Sequence, residues 1–208
     1  MNMQKGKPEW WDKAVEHLSA DPLLGRSVKL YSEGHLSGHG EIFQTLVRSI
    51  VGQQISVKAA DTIHRRLEEL CGEIDRESIS ACTAEEVSSC GLSRKKSDYI
   101  LGIATSEIPL LPEGFEELDD GAIAEHLVQF KGVGPWTADM MLIFSLMRPD
   151  VLCLGDLGIE RGIQDLVPQA VTKRQMLEVA ESWRPFRSAA CWFPVSYTHL
   201  TLPTILLV

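Results

Sequence analysis

The sequence of 208 residues lacks the features that several specialised protein classes require. No apolar run approaches the roughly 18 residues of a membrane-spanning helix, and the N-terminus has no apolar stretch typical of a secretory signal. The five cysteines are an odd number and form no CxxC pair, which disfavours a disulfide framework or a zinc site. We therefore expect reduced thiols, no membrane partner and a cytoplasmic location.

Positive charge is also scarce. The 20 Lys and Arg residues against 29 Asp and Glu residues give a net charge of −9, which argues against broad electrostatic binding of nucleic acid. Six of the acids fall in residues 111–130, which contain no Lys or Arg, so the rest of the chain carries only −3. A locally neutral or basic face is compatible with this balance, and composition does not decide the function.

Apolar residues recur at helical spacing along most of the chain, and no segment before residue 194 shows strand alternation. The pattern predicts an all-α domain over residues 1–193, in which turn residues make residues 28–40 and 109–114 loops. The predicted helices cover residues 9–20, 41–51, 57–70, 93–107, 120–130, 135–147, 157–166 and 173–183, with a short capped helix between residues 83 and 91.

The last segment, residues 194–208, has a different composition, with two prolines, no charged side chain of either sign and many β-prone residues. Because a proline in a helix interior costs about 3 kcal/mol, the helical pattern before Pro194 is expected to stop there. We predict an atypical tail that is not native to the fold. An ordinary terminal strand or tail is the alternative.

The most informative segment is LVQFKGVGPWTAD, residues 127–139. Gly132 and Gly134 permit a tight turn with positive φ, and Pro135 suits the first turn of a new helix. Unpaired backbone N–H groups at such a helix N-terminus can hold a phosphate without side-chain charge, and Lys131 adds one cation. This arrangement would let an acidic protein bind DNA. An ordinary packing corner between two helices is the alternative.

The hairpin, about residues 123–147, resembles the helix-hairpin-helix of the base-excision DNA glycosylase superfamily. Asp156 follows Gly134 by 22 residues, within GDLGIERG at residues 155–162. Spacing alone favours a helix N-cap there. An essential aspartate follows the hairpin at this interval in the superfamily, and the string is similar to the version in DNA-3-methyladenine glycosylases of type II. The resemblance implies that Asp156 is the catalytic carboxylate, which stabilises a sugar cation or activates water.

Two further segments carry the resemblance. SIVGQQISVKAA, residues 49–60, is similar to the family loop that enters the minor groove, which implies that Gln54 fills the gap left by a flipped nucleotide. A polar interhelical loop is the alternative. WRPFRSAA, residues 183–190, resembles a region that supports the site in the family, and a helix boundary with two solvent-exposed arginines is the alternative. The chain departs from the family pattern at residues 193–195, where relatives continue an aromatic run.

The resemblance as a whole implies a set of site residues. Trp136 and Met140 are the expected base pocket. A monovalent Na or K ion is expected, if at all, on the carbonyls of Val128, Phe130 and Val133, and no other metal is expected. The expected DNA-contacting residues are Gln53, Gln54, Ser56, Lys131, Gly132, Val133, Gly134, Thr137 and Arg187.

Residues that the chain lacks narrow the implied activity. Bifunctional members of the superfamily carry a Schiff-base lysine after the hairpin, where this chain has Trp136. Members with an iron–sulfur cluster place four cysteines after the aspartate, and only Cys191 lies there. The resemblance therefore implies a monofunctional, monomeric glycosylase without a required cofactor and without an iron–sulfur cluster. It would excise alkylated bases from double-stranded DNA, associated with the nucleoid if the source is a prokaryote.

The same resemblance implies two helical subdomains with the active-site cleft between them. Two other functions stay open at this point. One is a non-catalytic helix-hairpin-helix protein that only binds DNA. The other is a glycosylase for a different damaged or mismatched base.

Overall fold

The computed structural model describes residues 5–31, 33–39 and 41–198, except for the side chains of residues 5, 39 and 194–198. The regular secondary structure of this part of the chain is almost entirely helical, which confirms the all-α prediction. Strands β1 (Lys5–Gly6) and β2 (Gly38–His39) form one short antiparallel pair. The helices are α1 (Trp11–Ser19), α2 (Gly25–Leu30), α3 (Ile42–Gly52), α4 (Val57–Cys71), α5 (Arg76–Ser80), α6 (Ala84–Ser89), α7 (Arg94–Ala104), α8 (Asp120–Leu127), α9 (Pro135–Phe144), α10 (Leu157–Leu166), α11 (Lys173–Ala180) and α12 (Arg187–Thr198), and a 3-10 turn covers Glu181–Trp183.

The first of two compact units is built from the described parts of residues 1–40 and 142–208. Its core is aromatic: the rings of Trp11 and Phe193 lie 5.6 Å apart between centroids, and Trp192 meets Trp11 edge-on at 5.4 Å. Trp183 is also fully buried. Within this unit α12 packs against α10, α1 and α2. The unit therefore places α10, the helix that follows Asp156, against α12.

The second unit is Glu41–Met141. Its central helix α3 buries an apolar face that includes Leu46 and Ile50 and packs against α4 and α7. Helices α4 to α8 each begin at a side-chain cap, whereas the N-cap of α3, Glu41, makes no such bond. The predicted capping box is present, since Thr83 accepts from the N–H of Glu86 and the Glu86 carboxylate accepts from the N–H of Thr83. The second unit carries the turn of the hairpin, between α8 and α9, and the QQ loop of residues 52–55.

Several predicted boundaries are wrong. Residues 25–30 form α2, which extends into the first three residues of the loop expected at 28–40, and the fully buried Val28 anchors this short helix. Helix α5 was not expected at all, and its N-cap Asp75 accepts from the N–H of Ser78. Helix α9 ends at Phe144 rather than at residue 147, because Met147 adopts a positive φ of 54°.

The prediction that the helix stops before Pro194 is also wrong. Helix α12 runs from Arg187 to Thr198 and contains the proline. The ring packing of Trp192 and Phe193 fixes the turn directly before it, and this packing opposes the local cost of a missing N–H. Residues 199–208 of the expected tail lie outside the described residues. In the part of the chain that the structure describes, no helix is long and apolar enough to cross a membrane.

Candidate active site

Asp156 is the N-cap of α10 and is 6% exposed. Its Oδ1 atom accepts hydrogen bonds from the N–H of Gly158 (2.8 Å) and of Ile159 (3.3 Å). These bonds fix the carboxylate at the positive end of the helix dipole, where an anion is favoured. The N-cap interpretation is confirmed, and it leaves the carboxylate in one defined orientation.

Ser188, at the start of α12, holds the turn that leads to this aspartate. Its Oγ donates to the carbonyl of Arg148 (2.7 Å) and accepts from the N–H of Val151 (3.0 Å), and its own N–H donates to the carbonyl of Pro149 (2.9 Å). Ser188 is almost fully buried. Three bonds from one residue thus fix the backbone five to eight residues before Asp156.

Arg187 belongs to the same arrangement. Its Nε and Nη2 donate to the two carboxylate oxygens of Asp150 at 2.7 and 3.1 Å, and Nη2 also donates to the Asp150 carbonyl at 2.8 Å. Arg184 pairs with the same carboxylate. Arg187 is not the solvent-exposed arginine of the alternative interpretation, since its side chain is only 12% exposed. The structure gives it a positioning role, and its DNA contact stays a prediction.

The turn between α8 and α9 forms the predicted hairpin. Gly132 has a φ of +92°, and a Cβ atom there would lie 2.3 Å from the ring of Tyr99. Both the backbone conformation and the ring therefore require glycine. Gly132 supplies the positive φ that the turn was expected to permit, whereas Gly134 does not adopt one, and the Pro135 that follows disfavours helical backbone at Gly134. A Cβ at Gly134 would meet no described atom within 4 Å.

The backbone amides of the hairpin match the phosphate-binding prediction in one respect. Within the described residues, the N–H groups of Gly132 and Gly134 donate no hydrogen bond, whereas the N–H of Val133 donates to the carbonyl of Phe130 at 3.0 Å. Phosphate binding by these amides stays a prediction. The Phe130 carbonyl keeps one lone pair for an ion, and a monovalent cation on Val128, Phe130 and Val133 also stays a prediction.

Gln53 connects the QQ loop to the hairpin. Its Nε2 donates to the carbonyl of Gly132 (3.0 Å) and to Oγ1 of Thr137 (3.2 Å). Thr137 is nearly fully buried. The structure therefore brings together three of the residues that the sequence predicts, and both Gln53 and Thr137 act here on other protein groups.

Gln54 is the predicted wedge, and its backbone is unusual. It has a φ of +61°, which is uncommon for a residue other than glycine, and its side chain is exposed. Ser56, two residues on, is the N-cap of α4 and accepts from the N–H of Ala59 at 3.3 Å. Backbone conformations of this kind are found often at functional sites. The exposed position fits a residue that reaches into DNA.

The remaining predicted residues lie on or beside α9. Trp136 is half-buried and Lys131 is exposed. Met140 is 3% exposed and lies among the buried residues of its helix, which favours a packing role, and its contact with a base stays a prediction. Asp156 belongs to the first unit, whereas Trp136 and Met140 belong to the second.

Sequence reasoning missed Lys96 and Tyr99 on α7. Lys96 donates to the carbonyls of Val51 (2.8 Å) and Gln53 (2.6 Å), and Tyr99 covers Gly132. A signal for Lys96 exists in the sequence, because it lies four residues from the buried Ile100 on the apolar face of the helix. A lysine within an apolar stripe requires acceptors nearby.

Metal coordination by side chains has little support in the described residues. They contain no group of three His, Cys, Asp or Glu residues placed to hold a metal ion. Among the described residues, no disulfide joins any of the five cysteines. Burial raises the pKa of Cys71 and Cys90, and this shift opposes the thiolate form that binds metals.

Comparison with known proteins decides the family. Residues 47–185 match the family model described as HhH-GPD superfamily base excision DNA repair protein. The chain belongs to this superfamily. The matched range contains the QQ loop, the hairpin and Asp156, so the resemblance stated from the sequence is confirmed.

Individual relatives agree in sequence and in fold. The chain is 37% identical over 193 residues to DNA-3-methyladenine glycosylase 1 of Schizosaccharomyces pombe, covering 87% of this chain and 85% of the relative. The solved structure of 3-methyladenine DNA glycosylase from the same organism, in complex with abasic DNA, matches with a TM-score of 0.79 at 35% identity, over 91% of this chain and 98% of that one. DNA-3-methyladenine glycosidase of Bacillus halodurans matches with a TM-score of 0.76 at 29% identity, over 98% and 97%.

The two hairpin glycines give a first prediction, because they differ in what a methyl group would meet. Gly132→Ala forces a side chain onto Tyr99 at a positive φ, so we expect it to lower the melting temperature. Gly134→Ala, the matched control for stability, should leave the melting temperature near that of the parent. Its added methyl group should weaken binding to abasic-site duplex DNA, since the amide at this position is the predicted phosphate ligand.

Thermal unfolding and equilibrium binding on the same two variants check this prediction. A folded Gly134→Ala protein with parental DNA affinity would show that the amide of Gly134 is not a phosphate ligand. Equal melting temperatures for both variants would contradict the assigned role of Tyr99.

Proposed function

We propose that this protein is a DNA-3-methyladenine glycosylase of type II, which flips alkylated bases out of duplex DNA and hydrolyses their N-glycosidic bonds without cutting the strand. The observation that carries the proposal is Asp156, a buried carboxylate held by two amides 22 residues after Gly134 of the hairpin. Relatives at 37% and 26% identity are named 3-methyladenine glycosylases, which supports alkylated bases as the substrate class.

The chemistry suits a single fixed carboxylate. When the bond between C1′ and the base nitrogen breaks, its electron pair leaves with the base, and positive charge develops on the deoxyribose. Asp156 stabilises this charge, and it can accept the proton of the water that then attacks C1′. Because an alkylated purine is already a good leaving group, the reaction depends less on a strong general acid.

Recognition of the base is assigned to the aromatic face of Trp136. An electron-poor alkylated base can stack on an indole, and a cation–π contact of this kind contributes about 1–2 kcal/mol. Trp136 is half-buried on α9, so part of its ring is available to a ligand. Met140 lies one helical turn later and would complete the pocket.

Contacts to the DNA backbone come mainly from main-chain groups. The amides of Gly132 and Gly134 bind a phosphate, Lys131 adds one exposed charge, and Gln54 fills the space of the flipped nucleotide. Since few side-chain cations take part, we expect a shallow dependence of affinity on salt. The protein acts as a monomer and needs no cofactor, and in a prokaryote it works at the nucleoid.

The second prediction tests the activity itself. Incubation with duplex DNA that contains 3-methyladenine should release the free methylated base, which chromatography detects. Unmethylated duplex of the same sequence is the control and should release nothing. Binding to abasic-site DNA without any base release would show a DNA-binding protein that is not an enzyme. Faster release from an oxidised or mismatched substrate would overturn the alkylated-base assignment.

The third prediction concerns strand cleavage. A Schiff base at C1′ needs a lysine amine with a lowered pKa, and the position that carries this lysine in bifunctional relatives is Trp136. Burial lowers the pKa of Lys96, but that amine donates to two carbonyls. We therefore expect an intact abasic strand after base release, cut only by hot alkali.

Borohydride trapping with abasic-site DNA is the measurement for this prediction. A bifunctional glycosylase treated in parallel shows that the trapping conditions work. A covalent adduct formed in good yield by this protein would contradict the monofunctional assignment.

A further inference from the structure

The conformation of Gln54 needs support from its surroundings. A left-handed backbone is unfavourable for a residue with a Cβ atom, and Gln54 holds it with an exposed side chain. Such conformations persist where neighbouring groups fix the backbone on either side. The question is which groups fix the backbone next to Gln54.

Gln53, the residue directly before it, is held from two directions. Its side-chain amide donates to the carbonyl of Gly132 at 3.0 Å and to Thr137 at 3.2 Å. Its main-chain carbonyl accepts from Nζ of Lys96 at 2.6 Å. The side-chain bonds connect the QQ loop to the hairpin, and the bond from Lys96 fixes the peptide plane that leads into Gln54.

Lys96 also reaches the last turn of α3. Its Nζ donates to the carbonyl of Val51 at 2.8 Å, one of the carbonyls that a helix C-terminus leaves without an intrahelical partner. A cation at this end of a helix is favoured by the dipole. The ammonium therefore spans the point where α3 ends and the QQ loop begins, and Lys96 is partly buried.

We infer that Lys96 is a positioning residue for base flipping, which fixes the carbonyls of Val51 and Gln53 and so holds Gln54 in its left-handed conformation, in register with the hairpin. This inference rests on the proposed function, because it assigns Gln54 to the gap left by the flipped nucleotide. It adds a residue that acts through Gln54 without a contact of its own to DNA. Loss of Lys96 should therefore affect recognition of a flipped or missing base more than general affinity for DNA.

The test compares Lys96→Met with Lys95→Met. Methionine keeps an unbranched side chain of similar length but donates no hydrogen bond. Lys95, the adjacent exposed residue on α7, has its Nζ over the ring of Tyr99 at 5.7 Å, so its replacement matches the loss of one charge and leaves both carbonyl contacts intact. Each variant is titrated with undamaged duplex and with the same duplex carrying one tetrahydrofuran abasic analogue.

The measured quantity is the preference for abasic over undamaged DNA. It is the dissociation constant for undamaged duplex divided by the dissociation constant for abasic duplex, both measured at one salt concentration. We expect Lys96→Met to lower this ratio by about tenfold, a typical size for a lost coupling between contacting residues. Lys95→Met should keep the parental ratio. Equal ratios for Lys96→Met and the parent would overturn the inference.

A double-mutant cycle separates positioning from other effects. If Lys96 acts through Gln54, Lys96→Met should have almost no further effect on the ratio in a Gln54→Ala background. The same fold-change in both backgrounds would show that Lys96 acts elsewhere, for example by touching a phosphate. Lys96→Arg, which keeps the charge and the donors, should restore most of the preference.

Two safeguards keep the outcomes distinct. If Lys96→Met melts below the assay temperature, Lys96→Gln replaces it in the test. The glutamine amide can still donate to one carbonyl, so we expect a smaller loss of the preference for abasic DNA. If the parent protein itself shows no preference for abasic DNA, the proposed function fails. If the parent shows the preference and the Lys96 variants keep it, only this inference fails.

Discussion

A protein with a net charge of −9 that binds a polyanion draws much of its attraction from backbone groups, and each unit, taken by itself, contains a helix N-terminus that fits this constraint. In the second unit, Gly132 turns the chain so that amides at the start of α9 are presented. In the first unit, the start of α10 holds the carboxylate of Asp156 through two amides. The same property of a helix N-terminus serves a phosphate in one proposed role and a catalytic anion in the other.

The side chains around these helix ends position the backbone, and their charged groups are bonded to other protein groups. Ser188 and Arg187 hold the turn before Asp156, and Arg187 is paired with Asp150. Gln53 and Lys96 perform the corresponding task at the QQ loop. Two of the cations, Arg187 and Lys96, thus donate to groups inside the fold. An acidic protein of this kind depends on accurate geometry where a basic one can rely on electrostatic attraction.

The sequence reveals the parts of the site that depend on local order. Asp156 before α10, the Thr83 capping box and the glycine turn all follow from residues within a few positions of one another. Contacts between distant segments are harder to predict from the sequence. The bond from Lys96 to Gln53, for example, joins residues 43 positions apart. The positive φ that the two glycines permit occurs at Gly132 and not at Gly134. Helix α2 and the continuation of α12 past Pro194 depend on burial and ring packing, which periodicity alone does not express.

The central claim is that the carboxylate of Asp156 acts on the sugar while other groups bind the DNA. The most direct test is single-turnover excision of 3-methyladenine by Asp156→Asn, with Asp165→Asn, an exposed aspartate of the same helix, as the matched control. Asparagine keeps the size and the cap, so binding to abasic-site DNA should stay near the parental value. Excision should fall on the order of 100-fold or more in Asp156→Asn and stay unchanged in Asp165→Asn. Excision by Asp156→Asn within about threefold of the parent would contradict the account, since loss of a charge-stabilising group costs far more than that.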